Sequence, residues 1–345
     1  MNKQSIQHFS PSQRSWIRFK NHRRGYYSLW IFSILFFISL FAEFISNDRP
    51  MLVSYENEIY FPLWNEYPET IFGGDFATKT DFNDPYILEQ LSKGDNWAIY
   101  PINPYSFDTI NYYALIPNPA APSVQNVLGT DDRGRDILAR LIYGFRISVI
   151  FALILTIIAV VLGIIIGSIQ GYVGGKTDLL LQRGIEIWGS MPQLYLLIIF
   201  TSMFQPGIVL LIVLLSLFVW IGLSDYVRAE FLRSRNLDYV NAAKALGQSN
   251  IQVMFRHILP NSLVPVVTFI PFTASSSILA LTSLDYLGLG VPPGSPSLGE
   301  LLAQGKENLD AWWISLTTFC VLVITLILLI FIGEGFRESM DSRKG

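Results

Sequence analysis

The sequence predicts an all-α integral membrane protein of six transmembrane helices, with an acidic external insert between the first and second. Three observations carry this. The 345 residues are 51% hydrophobic and only 15% charged, against about 25% charged in an ordinary soluble domain. Charged side chains are absent from Gly25 to Ala42, Ile147 to Gly175, Ile187 to Ser224, His257 to Leu284 and Ala311 to Gly333, runs of 18, 29, 38, 28 and 23 residues. A spanning helix needs about 20 apolar residues. Basic residues cluster in alternate connections, as expected of segments held on the cytoplasmic side.

Residues 1–25 are expected to be cytoplasmic, with Arg14, Arg18, Lys20, Arg23 and Arg24 ahead of helix 1 at 26–45. Its apolar stretch exceeds the about 7–15 residues of a signal-peptide core. Leu40-Phe41-Ala42-Glu43 is a poor cleavage site, so an uncleaved anchor is expected and Arg23-Arg24 acts as a topology determinant. The external insert follows at 46–140. Between 47 and 127 it holds 11 acidic and three basic residues, half of the prolines and half of the tyrosines. Trp64, Tyr67, Phe72, Tyr86, Trp97, Tyr100 and Tyr113 are too many aromatics for a disordered acidic tail. A small, irregular, ordered domain is expected, placed against the bilayer by its tryptophans and tyrosines.

The membrane domain proper is expected at 141–336, with helix 2 near 146–170. The 38-residue run would reach about 57 Å as one helix, against a core of about 30 Å. Gln205-Pro206-Gly207 is a turn signal that divides it into helix 3 at 186–204 and helix 4 at 207–226. Helices 5 and 6 fall at 262–284 and 312–334, and 337–345 form a short tail. Lys176 and Arg183 lie between helices 2 and 3, and Arg228, Arg233, Arg235, Lys244 and Arg256 between helices 4 and 5. Arg337, Arg343 and Lys344 follow helix 6. Six spans put these regions and both termini on one side, the cytoplasmic one.

Composition excludes several functions. The net charge of −3 leaves no basic excess for nucleic acid. Cys320 is the single cysteine, and His8, His22 and His257 are far apart, so neither a disulfide framework nor a metal site is expected. Gly174-Gly175-Lys176-Thr177 ends like a phosphate-binding loop, but the upstream glycine of that pattern is Gln170 and a membrane helix precedes it. No ATP site, and no other cofactor site, is expected in this chain. Ionisable residues near the spans, Glu43, Glu186, Asp225, Asp285 and Glu334, all sit at span ends. A self-powered carrier usually keeps such groups deep in the membrane, so the driving force is expected from outside, through a cytoplasmic loop.

The loop between helices 4 and 5, 228–260, carries the strongest motif. Ala242, Ala243 and Ala245 predict a short helix with a small-residue face. Gly247 is placed to end it in the left-handed conformation, Ser249 to cap the next helix, and Pro260 to open helix 5. Such a surface suits a groove on another protein or the lipid interface. The segment resembles the EAA loop of ABC-importer permeases: Glu-Ala-Ala, a glycine, then a leucine-proline pair about a dozen residues later. Ala242, Ala243, Gly247, Leu259 and Pro260 match, and Asn241 stands where the family usually has glutamate. The resemblance implies a coupling helix seated on an ATPase subunit, with Asn241, Ala242, Ala243, Lys244, Ala245, Gly247, Leu259 and Pro260 at the contact.

Two further segments resemble the dipeptide and oligopeptide permeases. In 128–149 the matching residues include Gly129, Thr130, Asp131, Gly134, Arg135, Asp136, Arg140, Gly144 and Arg146. Ile137, Leu138, Leu141 and Ile142 have helical spacing there, and Asp136 and Arg140, one turn apart, are expected to form a structural ion pair. The second segment, 284–305, is a glycine- and proline-rich external connection holding Gly288, Gly290 and Pro292, with Asp285 and Leu298 in place of the more usual serine and tryptophan. With the long insert, these point to the Yej-type permeases of importers that take peptides and microcin C. The resemblance implies a type I ABC-importer transmembrane domain in the inner membrane, without catalytic residues. Its implied partners are a homologous second permease, ATPase subunits, a periplasmic peptide-binding protein, a peptide substrate and membrane lipid. A permease for nickel or another small solute shares these motifs and is the alternative.

Overall fold

The computed structural model describes residues 11–110, 112, 116–292 and 294–340. Among the residues singled out above, His8, Tyr113, Arg343 and Lys344 lie outside that range. The chain starts with α1 (Pro11–Asn21), α2 (Arg23–Leu40) and α3 (Ala42–Ile45). His22 caps α2, its Nδ1 accepting the Gly25 N–H at 3.1 Å. The insert adds a three-stranded antiparallel sheet that the all-α expectation lacked: β1 (Leu52–Tyr55), β2 (Glu58–Tyr60) and β3 (Trp97–Ile99), in the order β2-β1-β3. Glu56 and Asn57 both have positive φ, the tight turn that joins β1 to β2. Helix α4 (Pro85–Leu91), capped by Asp84, closes the small core of Val53, Tyr55, Phe72, Phe82, Ile87 and Leu91.

The membrane domain follows as α5 (Ile137–Val173), α6 (Gly175–Gly189), α7 (Gln193–Met203), α8 (Ile208–Ser216), α9 (Ile221–Ser234), α10 (Asp238–Ala245), α11 (Asn250–Gln252), α12 (Leu259–Tyr286), α13 (Leu298–Glu307) and α14 (Trp312–Met340). Among the described residues, Ile137–Val173, Ile208–Ser234, Val266–Tyr286 and Trp312–Met340 are long and apolar enough to cross a membrane. The helix expected at 186–204 is interrupted, because Pro192 cannot continue a helix and α6 stops at Gly189 before α7. The expected irregular connection 284–305 contains a regular helix, α13, capped by the Ser297 hydroxyl.

Helix α5, at 37 residues, is the axis of the domain. One seam packs it against α9. A Cβ on Gly167 would lie 2.5 Å from the Ser224 carbonyl oxygen and 2.9 Å from Val227 Cβ, and one on Gly171 would lie 2.6 Å from Arg228 O and Phe231 Cβ. With Gly163 facing Leu223, three glycines spaced four apart let the two backbones meet closely. Helix α2 lies along α14, where a Cβ on Gly25 would come 3.0 Å from Gly335 Cα.

Candidate functional site

Two constructions stand at opposite ends of α5. At its C-terminal end, the loop from α9 to α12 is built on a buried apolar base. Val240 and Ala243 of α10, with Val253 and Ile258, pack on Leu223, Val227 and Phe231 of α9. The rest of α10 faces outward: Asn241, Ala242, Lys244 and Ala245 are all exposed. Gly247, at φ 78°, ends the helix. Its N–H donates to Lys244 O at 3.0 Å, and the Gln248 N–H to Ala243 O at 3.2 Å. This pair of bonds is the Schellman stop, and it satisfies carbonyls the helix end leaves open. Ser249 then caps α11 in a reciprocal box with Gln252. The chain passes through a π-helical stretch, Val253–Ile258, into α12, with Leu259 half-buried against the base and Pro260 exposed in the first turn.

Side chains stiffen this loop. Tyr172 at the end of α5 donates its hydroxyl to Asn250 Oδ1 at 2.7 Å, and its ring lies 5.5 Å from Lys244 Nζ. His257 and Gln248 share a hydrogen bond of 2.7 Å. Asn241 donates to Asn236 O at 3.3 Å, so the residue in the glutamate position is used locally. Behind the loop, Arg228 donates to both oxygens of Asp178 at 2.5 and 2.7 Å, which holds the Asp178 carboxyl below the usual carboxylate range. Gln170, Gln182 and Asp225 continue the polar tie between α5, α6 and α9.

Sequence reasoning stressed the alanines and passed over the large apolar residues beside them. Leu246 is 82% exposed, Ile251 68% and Phe255 63%. Leu246 at the end of α10, Ile251 in α11 and Phe255 in the π-helical stretch thus put three open apolar side chains beside the exposed face of α10. Their signal was present in the sequence: Leu246, Ile251 and Phe255 are large apolar residues of this loop that its buried base does not use.

At the other end of α5, the family-motif residues form a charge network. Arg140 is wholly buried and donates to Glu300 Oε2 at 2.8 Å, Ser295 O at 3.1 Å and Phe107 O at 3.2 Å. Arg135 donates to Asp131 at 2.7 Å and to Glu300 at 3.2 Å, and Asp131 lies 3.6 Å from Arg140 Nε. Two cations therefore meet two carboxylates, tying 131–140 to α13. The expected Asp136–Arg140 pair does not form. Asp136 is spent as the cap of α5, accepting from Ala139 N–H, and it also accepts from Asn103 and Asn126 at 2.8 Å each. Burial pushes its carboxyl up, against the pull of those bonds.

Gly129 and Gly134 have φ of 84° and 82° and shape the turn that brings Thr130 O to Trp313 Nε1 at 3.3 Å. Thr130 also bonds Asn118 and the Ala120 N–H. Asp285 accepts from Val291 N–H at 2.8 Å and from the Ser297 hydroxyl at 2.5 Å, closing the loop that holds Gly288, Gly290 and the exposed Pro292. Glu300, Ser297 and the glycines of α5 were the residues missed. The glycine spacing was legible in the sequence. Glu300 was not, since its partners lie 160 and 165 residues away.

Comparison with known proteins places this architecture. Residues 159–345 match the family described as binding-protein-dependent transport system inner membrane component, and residues 10–62 match the N-terminal TM domain of oligopeptide transport permease C. The chain is 50% identical over 361 residues to the peptidoglycan transport system permease protein YejE of Agrobacterium fabrum, covering 97% of this chain and 94% of that protein. It is 50% identical over 333 residues to the inner membrane ABC transporter permease protein YejE of Escherichia coli, covering 96% and 97%. It is 30% identical over 332 residues to the dipeptide transport system permease protein DppC of Lactococcus lactis, covering 96% and 90%. The chain therefore belongs to the inner membrane components of binding-protein-dependent transport systems, the multi-pass permease subunits of ABC importers that work with a separate ATPase and a binding protein.

Proposed function

We propose that this chain is one of two homologous permeases of a peptide importer, with six spans, both termini in the cytoplasm and the insert 46–140 outside. The loop 228–260 seats on the ATPase, and the binding protein delivers peptide at the insert-bearing end. ATP binding closes the ATPase, shifts the loop, and biases the permease pair from an inward-open to an outward-open state. The observation that carries the coupling role is α10: an exposed helix, stopped by a left-handed glycine, standing on the seam where α5 and α9 meet. A push on α10 is delivered through Val240 and Ala243 into the two helices.

The cargo rests on the relatives' names, two of which speak of dipeptide and peptidoglycan transport. Peptides are the cargo we infer, and a peptidoglycan-derived peptide is the variant that the name of the Agrobacterium relative suggests. The test is ATP-driven uptake into vesicles holding the assembled importer, with a labelled tripeptide, a peptidoglycan-derived peptide and nickel ion offered in parallel. Accumulation of either peptide but not nickel is the expected result. Accumulation of nickel alone would overturn the cargo assignment and leave the coupling role standing.

A further inference from the structure

The insert's sheet has two apolar faces and, among the described residues, a core behind only one. Val53 and Tyr55 point inward with Tyr60 and Ala98, onto the cluster around Phe72. Side chains alternate along a strand. The outward set is therefore read from the register: Ser54 opposite Ile59 and Trp97, and Leu52 opposite Ile99. Ile59 is 60% exposed, and Trp97 and Ile99 stand open beside it. None of these outward positions is charged, in a segment that carries 11 acidic residues. Glu58, the one charge on the strands, sits on the Tyr55 side and accepts the Tyr60 hydroxyl at 2.8 Å.

A run of rings leads from this region to α2. Along the end of α2 and into α3, Phe37 meets Phe41 at 5.0 Å between centroids and Phe41 meets Phe44 at 6.1 Å. Phe44 meets Trp64 at 5.9 Å, and Trp64 meets Phe61, the residue after β2, at 6.2 Å. All five rings are exposed. The apolar surface of α2 thus continues without a break toward the sheet. Tryptophans such as Trp64 and Trp97 favour the level of the lipid headgroups, and the phenylalanines carry the apolar surface between them and α2.

We propose that the outward face of the β2-β1-β3 sheet lies on the outer-leaflet interface of the bilayer, with Ile59, Phe61, Trp64, Trp97 and Ile99 in contact with lipid. The occupant is phospholipid, because the face is uncharged and runs on from the exposed rings of α2 and α3. This rests on α2 being a membrane span, as in the function proposed above.

The test uses the full chain in its assembled importer, in nanodiscs of phosphatidylethanolamine and phosphatidylglycerol. Nitroxide labels are placed singly by Ile59→Cys, Trp97→Cys and Ile99→Cys in a Cys320→Ser background. Phe37→Cys is the span control and Lys93→Cys the aqueous control. Accessibility is read as the ratio of oxygen to a water-soluble nickel complex. The expected ratio at 59, 97 and 99 is several-fold above that at 93 and close to that at 37. A ratio equal to that at 93 would overturn the proposal. Protection from both reagents would overturn it too, in favour of a protein on this face. If label 37 also reads as aqueous, the span assignment of α2 fails with it; if only the sheet labels do, the sheet proposal fails alone.

Discussion

Arg140 has no exposed surface, and Glu300, Asp131 and two carbonyls meet its charge. Removing one member of such a buried set leaves the others uncompensated, at a cost of about 3–5 kcal/mol. Arg140→Met is therefore expected to lower unfolding stability in detergent by that order, and Arg140→Lys to recover little, because lysine lacks the planar fork. Gly247 is a different kind of residue. Nothing lies within 4 Å of where its Cβ would be, so only its φ of 78° resists substitution. A bulky side chain there costs about 1–2 kcal/mol, or about 5- to 30-fold in the ratio of proper to distorted loop. Gly247→Val is expected to cut uptake by up to about that factor at unchanged membrane level, with Gly247→Asn milder, since asparagine enters the left-handed region more readily. Residues whose role is local were legible: Gly247 and Ser249 do what cap chemistry requires of them. Asp136 was misassigned because a cap and an ion pair compete for the same carboxylate, and spacing alone does not say which wins.

At the scale of elements, the α5–α9 seam depends on the absence of side chains. Gly167→Leu would force the backbones apart where a Cβ already meets Ser224 O. Overpacking costs about 1–3 kcal/mol and more where backbone must move, so loss of folded permease by size-exclusion chromatography is expected, with Gly184→Leu, in open space on α6, as the tolerated control. The Asp178–Arg228 tie between α6 and α9 gives a pH signature. Its carboxyl is held low in the folded chain, so its stabilisation is present above the ordinary carboxylate value of about 3.9 and disappears as pH falls through the folded value. The stability difference between wild type and Asp178→Asn is expected to be full at neutral pH and to close below about pH 4 in a chemical-denaturation series. The long helices were readable because hydrophobic length is a strong signal. The strands were not: each is three or four residues long, and their pairing joins β1 to β3 across the whole of α4.

Over the whole molecule, charge is divided by position. Segment 47–127 has a net charge of −8, and the remainder of the chain +5. The total of −3 conceals an acidic insert at one end of α5 and a basic set of connections at the other. Under the proposed topology, impermeant thiol reagents in Cys320→Ser cells should label Lys79→Cys from outside, and Lys244→Cys only after the membrane is opened. Both labelled from the same side would contradict the six-span arrangement. Under the proposed coupling role loop 228–260 receives the ATPase, and Leu246, the most exposed large apolar side chain on that loop, reports on that contact most directly. With a photo-crosslinking amino acid at position 246 in the assembled importer, irradiation is expected to join this chain to the ATPase subunit, in a yield that changes when ATP is bound. Crosslinks to lipid alone, with none to the ATPase in either nucleotide state, would contradict it.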